Sequence, residues 1–262
     1  MKLAISNIAW AAGQDKTVCA RKREHGFTGL EAAPTRVFPE DPYSHIQEAR
    51  VWLEHLHREY GFEIPSIQSI WYGRTERIFG SAAERSVLHN YTCRAIDFAA
   101  AIGCQNLVFG CPKNRSISET DDPDTAVSFF QKIAEYALSQ GTAIGFEANP
   151  AIYQTNYINT TSQAFALIEK VASDGFRLNL DMGTMLYNGE PASALAGKVR
   201  YINHIHISEP MLAPIKCREL HLELAEVLRW ENYSGYVSIE MSRTAGLNAV
   251  LEAMTYIASV FK

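Results

Sequence analysis

Four side chains able to bind a cation close short apolar runs in the second half of the chain. They are Glu147 in Gly-Phe-Glu-Ala-Asn-Pro, Asp181 in Leu-Asn-Leu-Asp-Met-Gly, His206 in His-Ile-His-Ile-Ser-Glu and Glu240 in Val-Ser-Ile-Glu-Met. Three carboxylates brought to one point repel each other, and burying them costs several kcal/mol unless they are paired or metal-bound. A divalent cation answers both problems. Three oxygen donors and one imidazole suit Mn²⁺, which is favoured, and also Mg²⁺, Co²⁺ or Zn²⁺. One such ion is therefore the expected cofactor, with Glu147, Asp181, His206 and Glu240 as its ligands. His204 lies two residues before His206 and so shares its strand face.

These residues converge only if the runs that carry them are neighbouring parallel strands. Short β-rich runs at 2–9, 28–32, 63–70, 106–110, 142–147, 176–181, 200–207 and 236–240 alternate with helical patterns at 14–24, 43–60, 82–102, 123–140, 161–173, 191–197, 216–229 and 246–260. Each helix returns the chain to the same end of the sheet, which makes the strands parallel. Eight such units predict an α/β chain closed as one (β/α)8 TIM barrel, with residues 1–262 forming a single domain. Active sites of such barrels sit at the carboxyl ends of the strands, where the four ligand-type residues fall. A doubly wound open sheet is the alternative, but no G-x-G-x-x-G follows the first strand.

The 262 residues are 47% hydrophobic and 20% charged, a globular composition that excludes disordered and fibrous classes. A net charge of −5 disfavours a dedicated nucleic-acid partner. No apolar run reaches the ~18 residues of a membrane span. The opening Met-Lys-Leu-Ala-Ile-Ser-Asn has no basic n-region or small-residue cleavage site, so no secretory signal is expected. The five cysteines include no C-x-x-C pair, as expected of reduced thiols in a cytoplasmic protein.

Further candidates stand near the expected barrel mouth. Lys113, Asn114 and Arg115 follow the fourth strand and could hold a phosphate or carboxylate, or pair with nearby acids in a solvated loop. Gln68 and Trp71 follow the third strand, the latter placed either to face a sugar or to pack against helices. Glu31 ends the second strand and is a candidate substrate contact, as is His204. Tyr153 and Tyr157 could cap the site, Asn149 serves its loop or the substrate, and His221 is expected exposed on a helix. Cys111 lacks a Cys/His motif and is not expected to be a nucleophile.

The motifs around Glu147, Asp181, His206 and Glu240, in this order and spacing, resemble the xylose-isomerase-like (sugar phosphate isomerase/epimerase) TIM-barrel superfamily over almost the whole chain. The resemblance implies that these four residues hold one divalent metal and that Glu147 and Glu240 double as an acid/base pair flanking the substrate carbon. The implied reaction is epimerisation or isomerisation of a sugar, sugar phosphate or polyol ketone through a metal-stabilised enediolate. A small carbohydrate is then the expected partner, and the resemblance also allows a homo-oligomer. Two departures stand out. Thr184 occupies a position where relatives often carry a histidine that contacts substrate or a further metal. Glu209-Pro210 follows His206 where relatives often show other pairs, and Glu209 could orient His206 or touch substrate hydroxyls. A metal-dependent lyase or dehydratase, an apurinic-endonuclease-like phosphodiesterase and a non-catalytic sugar-binding protein remain alternatives on the same scaffold.

Overall fold

A computed structural model describes residues 1–262. Its elements run β1 (Lys2–Ser6), α1 (Asp15–Glu24), β2 (Gly29–Glu31), α2 (Pro34–Val37), α3 (Ile46–Tyr60), β3 (Ser66–Ile67), α4 (Ala82–Ala101) and β4 (Asn106–Phe109). They continue with α5 (Asp124–Ser139), β5 (Ile144–Phe146), α6 (Thr161–Val171), β6 (Phe176–Asp181), α7 (Met182–Asn188), β7 (Ile202–Ile207), α8 (Glu219–Trp230), β8 (Tyr236–Ile239) and α9 (Leu247–Phe261). All strand pairs are parallel, in the order β2-β1-β8-β7-β6-β5-β4-β3. Two isolated parallel bridges, Gly29 to Glu63 and Ala32 to Ile67, join the two ends of that series. The result is the (β/α)8 barrel expected from the alternation of patterns.

The strands alternate two kinds of residue because successive side chains point to opposite faces. One set is apolar and buried under the helices: Leu107 and Phe109 of β4, Leu178 and Leu180 of β6, Ile205 and Ile207 of β7, and Val237 and Ile239 of β8. The other set includes polar residues that bond between neighbouring strands. Asn106 donates to Ser66 Oγ at 3.0 Å and Gln68 to Glu31 Oε1 at 3.0 Å. Barrel interiors are usually dominated by branched apolar side chains. Buried polar groups need partners to avoid a penalty of about 1–3 kcal/mol each, and the pairs just named satisfy part of this set, while Asn179 Oδ1 and Ser238 Oγ have none.

Several elements are shorter than the sequence pattern implied. The third strand shrinks to two residues because Pro65 has no N–H to donate and Ser69 turns into the left-handed region at φ 56°. The segment at 191–197 forms only a 3-10 turn, Ala192–Leu195. Two helices were not anticipated. α2 is a single turn started by Pro34. α7 is capped at its start by the Asp181 carboxylate and ended by Gly189 at φ 65°. No helix is long and apolar enough to cross a membrane.

Candidate metal centre and its cavity

Glu147, Asp181, His206 and Glu240 come from β5 to β8 at their carboxyl ends. The backbone keeps the ladder running one residue past two of those strands: Glu147 N donates to Phe109 O at 3.0 Å and Glu240 N to Ile207 O at 2.9 Å. Asp181 pairs with His206 in the β6–β7 register. The ligand atoms of the four side chains all lie within 4.8 Å of one another, and all four residues are buried. Glu147 Oε2 and Glu240 Oε2 approach the same nitrogen, His206 Nδ1, at 3.0 and 3.2 Å.

Each carboxylate is held differently. Glu147 accepts from Asn149 Nδ2 on Oε1 and from Asn179 Nδ2 on Oε2, both at 2.8 Å. Arg115 lies behind it, donating to Asn149 Oδ1 at 2.7 Å and to the Glu147 carbonyl at 3.0 Å. Asp181 Oδ2 accepts from Thr184 N at 2.9 Å and Thr184 Oγ1 at 2.8 Å, and its Oδ1 from Ser208 Oγ. Glu240 has a single polar partner, His206. Gly110 permits the crowding, since a Cβ there would stand 3.0 Å from Glu147 Oε1.

The cluster buries three acids beside one histidine. Burial, and then the Glu147 charge, push the Asp181 carboxyl up to about 6. Burial pushes Glu240 up to about 7, although His206 opposes it. For His206 burial favours the neutral ring, but Glu240, Glu31 and Glu147 outweigh it and raise its pKa well above the usual histidine value. A divalent cation there would favour the ionised carboxylates and the neutral ring, against both shifts. The donor set, three carboxylates and one imidazole nitrogen, fits a divalent ion of the Mg, Mn, Co or Zn kind.

Above the four residues opens a cavity of about 180 Å³, lined by Glu147, Asp181 and Glu240 together with Gln68, Asn149, Tyr153 and neighbouring loop residues. This is below the ~300–1,000 Å³ of drug-sized pockets and suits a small polar molecule. A larger cavity of about 500 Å³ lies around Lys2, Asn106, Arg200 and Tyr236 at the opposite end of the strands, the end that serves stability in barrels of this kind.

The family model for the xylose isomerase-like TIM barrel matches residues 19–260. The chain belongs to this family. Among solved structures, D-psicose 3-epimerase from Clostridium cellulolyticum H10 superposes with a TM-score of 0.78 at 15% identity, covering 100% of both chains. The 3-keto-D-glucoside 4-epimerase from E. coli gives 0.76 at 20% identity, with 99% of each chain covered. A family 2 AP endonuclease from Brucella melitensis gives 0.74 at 17% identity and 96% of each chain. At these identities the likeness is one of fold. No curated protein matches the sequence.

Within this xylose isomerase-like barrel the remaining candidates separate clearly. Gln68 lines the cavity. Glu31 and His204 lie beneath it, fully buried against His206. Arg115 is sealed behind Glu147, and Lys113 is exposed outside the cavity. Asn114 is spent on loop structure, its Nδ2 donating to Arg74 O and Glu76 O at 3.1 and 2.8 Å. Trp71 belongs to the core: its ring packs edge-on against Phe109 and its Nε1 donates to Thr92 Oγ1 at 2.8 Å. Glu209 is gripped by Arg218 through both carboxylate oxygens and does not reach His206. His221, expected on the surface, is buried against Tyr256.

Thr184 turns inward, its single O–H shared between Asp181 Oδ2 and the Ala148 carbonyl, each at 2.8 Å. Burial pushes the Cys111 thiol up to about 12, against a nucleophilic role. Asn179 was missed from the sequence, although its position two residues before Asp181 puts it on the same strand face. Its Nδ2 donates to Glu147 Oε2 at 2.8 Å and lies 3.2 Å from His206 Nδ1.

Proposed function

We propose that this chain is a divalent-metal-dependent epimerase or isomerase of a small, unphosphorylated sugar or polyol ketone. The observation that carries the reading is the placement of Glu147 and Glu240 on one cavity wall system, both against His206 and beside Asp181. A divalent cation, when bound, would supply Lewis-acid stabilisation for negative charge on substrate oxygens. The chain's own residues then move the proton. One of the two glutamates takes it from the carbon next to the carbonyl as its carboxylate. The other returns a proton to the opposite face of that carbon for epimerisation, or to the neighbouring carbon for isomerisation. Asn149 and Asn179 hold the Glu147 carboxylate in place while it does so, leaving Glu240 the freer of the two.

No lysine or arginine lines the cavity, which favours an uncharged substrate over a phosphorylated one. The names of the structural relatives support sugar chemistry, since two of them are sugar epimerases. Unpaired cysteines accord with a cytoplasmic setting.

The deciding experiment measures metal per chain in protein purified without chelator. It then follows solvent deuterium entering a panel of free and phosphorylated ketoses, with Glu147→Gln and Glu240→Gln beside the wild type. One metal per chain, with exchange into free ketoses that both variants lose, is expected. Two or three metals with cleavage of duplex DNA would replace this reading by a phosphodiesterase. Loss of water from the substrate would replace it by a lyase. Sugar binding that survives both substitutions without exchange would leave only a binding protein.

A further inference from the structure

We propose that Glu31 is a positioning residue of the metal centre: it fixes the Nε2–H of His206 and thereby presents Nδ1 to the cation. The inference rests on His206 being a metal ligand, as read above. It starts from the two nitrogens of one ring. Nδ1 faces Glu147 and Glu240, at 3.0 and 3.2 Å. Nε2 points the other way, 3.0 Å from Glu31 Oε2. An ionised carboxylate only accepts hydrogen bonds, so the nitrogen that meets it must carry the proton. A neutral imidazole has one N–H, and with that proton on Nε2 the lone pair lies on Nδ1.

The carboxylate that does this is itself immobilised. Glu31 closes β2, across the barrel from β7, and is fully buried. Its Oε1 accepts from Gln68 Nε2 at 3.0 Å, and the same Gln68 amide is tied to Ser6 Oγ. His204 packs against the same oxygen from a second side, its Nε2 2.7 Å from Oε2. Strands β1, β2, β3 and β7 thus all contribute to one carboxylate position. A ligand histidine oriented in this way is more basic and loses less freedom on binding metal.

Glu31, His204 and His206 also have metal-ligating atoms within 4.8 Å of one another. A cation there would need His206 Nε2 without its proton, leaving an imidazolate between two metals. It would also be enclosed on all sides, since the three residues are buried. A proton serves the same contacts without either demand.

The test uses Zn²⁺, a diamagnetic probe, and the full chain labelled with ¹⁵N-histidine. Long-range ¹H–¹⁵N spectra of the wild type with one Zn²⁺ should show His206 bound through Nδ1 and protonated at Nε2. Coordination through Nε2, or a second Zn²⁺ that shifts His204, would overturn the proposal. Zn²⁺ affinity, read by chelator competition, should fall ~10–100-fold in Glu31→Gln and less in Glu31→Asp, with mixed His206 tautomers in the glutamine variant. Unchanged affinity and an unchanged tautomer in Glu31→Gln would overturn the role of Glu31 while leaving the metal centre standing. A wild type that binds no Zn²⁺ would overturn both. If Glu31→Gln does not fold, the wild-type spectrum decides.

Discussion

Glu147 Oε2 lies 3.0 Å from His206 Nδ1, although β6 separates the strands that carry them. Without a cation between them, the contact needs a proton on Nδ1, which makes the ring an imidazolium bridging Glu147 and Glu31. A metal must displace that proton, so occupancy, protonation and fold stability are linked at this one nitrogen.

The linkage has a sign. Asp181 and Glu240 are raised to about 6 and about 7, above ordinary carboxylate values, and His206 is raised well above an ordinary histidine. A group whose pKa is higher in the folded state holds its proton more tightly there. Its stabilisation is complete below the unfolded value and is lost as pH rises through the folded one. The metal-free protein should therefore lose stability, on the order of a few kcal/mol, between about pH 4 and pH 8. Thermal melts across that range with a chelator present check this. With saturating Mn²⁺ or Zn²⁺ the trend should reverse, because the metal competes with those same protons.

Glu240→Gln should separate metal binding from folding. Glu240 has one polar partner and sits among like charges, so the variant should melt no lower than wild type in chelator. It should bind metal at least tenfold more weakly. Solvent exchange into substrate should fall by about 10²–10⁴-fold, the usual contribution of a general base or acid.

Gly110→Ala should disturb the centre without unfolding the barrel. The added Cβ would meet Glu147 Oε1 at 3.0 Å and Asn149 Oδ1 at 3.4 Å, so the carboxylate must move by a few tenths of an ångström. Metal affinity should drop several-fold while the melting temperature in chelator changes little. Equal affinity in the two proteins would show that Glu147 is not held where it must be to bind.

Tyr153→Phe should affect substrate and spare metal. The Tyr153 oxygen already accepts from Met211 N at 2.9 Å, and burial together with the Asp181 charge pushes its pKa up to about 12. Its O–H therefore remains protonated, on the cavity wall. Removing it should raise KM for the sugar several-fold and leave Zn²⁺ affinity unchanged. The converse pattern would assign the hydroxyl to the metal centre.

The architecture was readable because both periodicities are strong. Strand six was read at its observed limits, 176–181, and α4 ended one residue earlier than expected. The candidate ligands were readable for a related reason: a polar residue closing an apolar run stands out. The supporting residues do not. Asn179 sits inside a strand, and its spacing from Asp181 in Phe-Arg-Leu-Asn-Leu-Asp gives its face but not its partner, the Glu147 carboxylate. Trp71 takes the packing alternative, and Glu209 and His221 differ from expectation because their partners, Arg218 and Tyr256, are set by loop geometry or distant in sequence. α7 is hidden in the sequence because Asp181 serves both as its cap and as a candidate ligand.

The ring of strands is continuous from β3 round to β2 and is fastened between those two by isolated bridges at Gly29 and Ala32. The four ligands lie on one uninterrupted arc, β5 to β8, while Glu31 and Gln68 stand at either lip of the fastening. Parting that seam would draw Glu31 away from His206 and leave the arc in register. With the proposed cation bound, a barrel ajar would grip it through a ring free to turn, so how firmly the ion is held would gauge how fully the cylinder has shut.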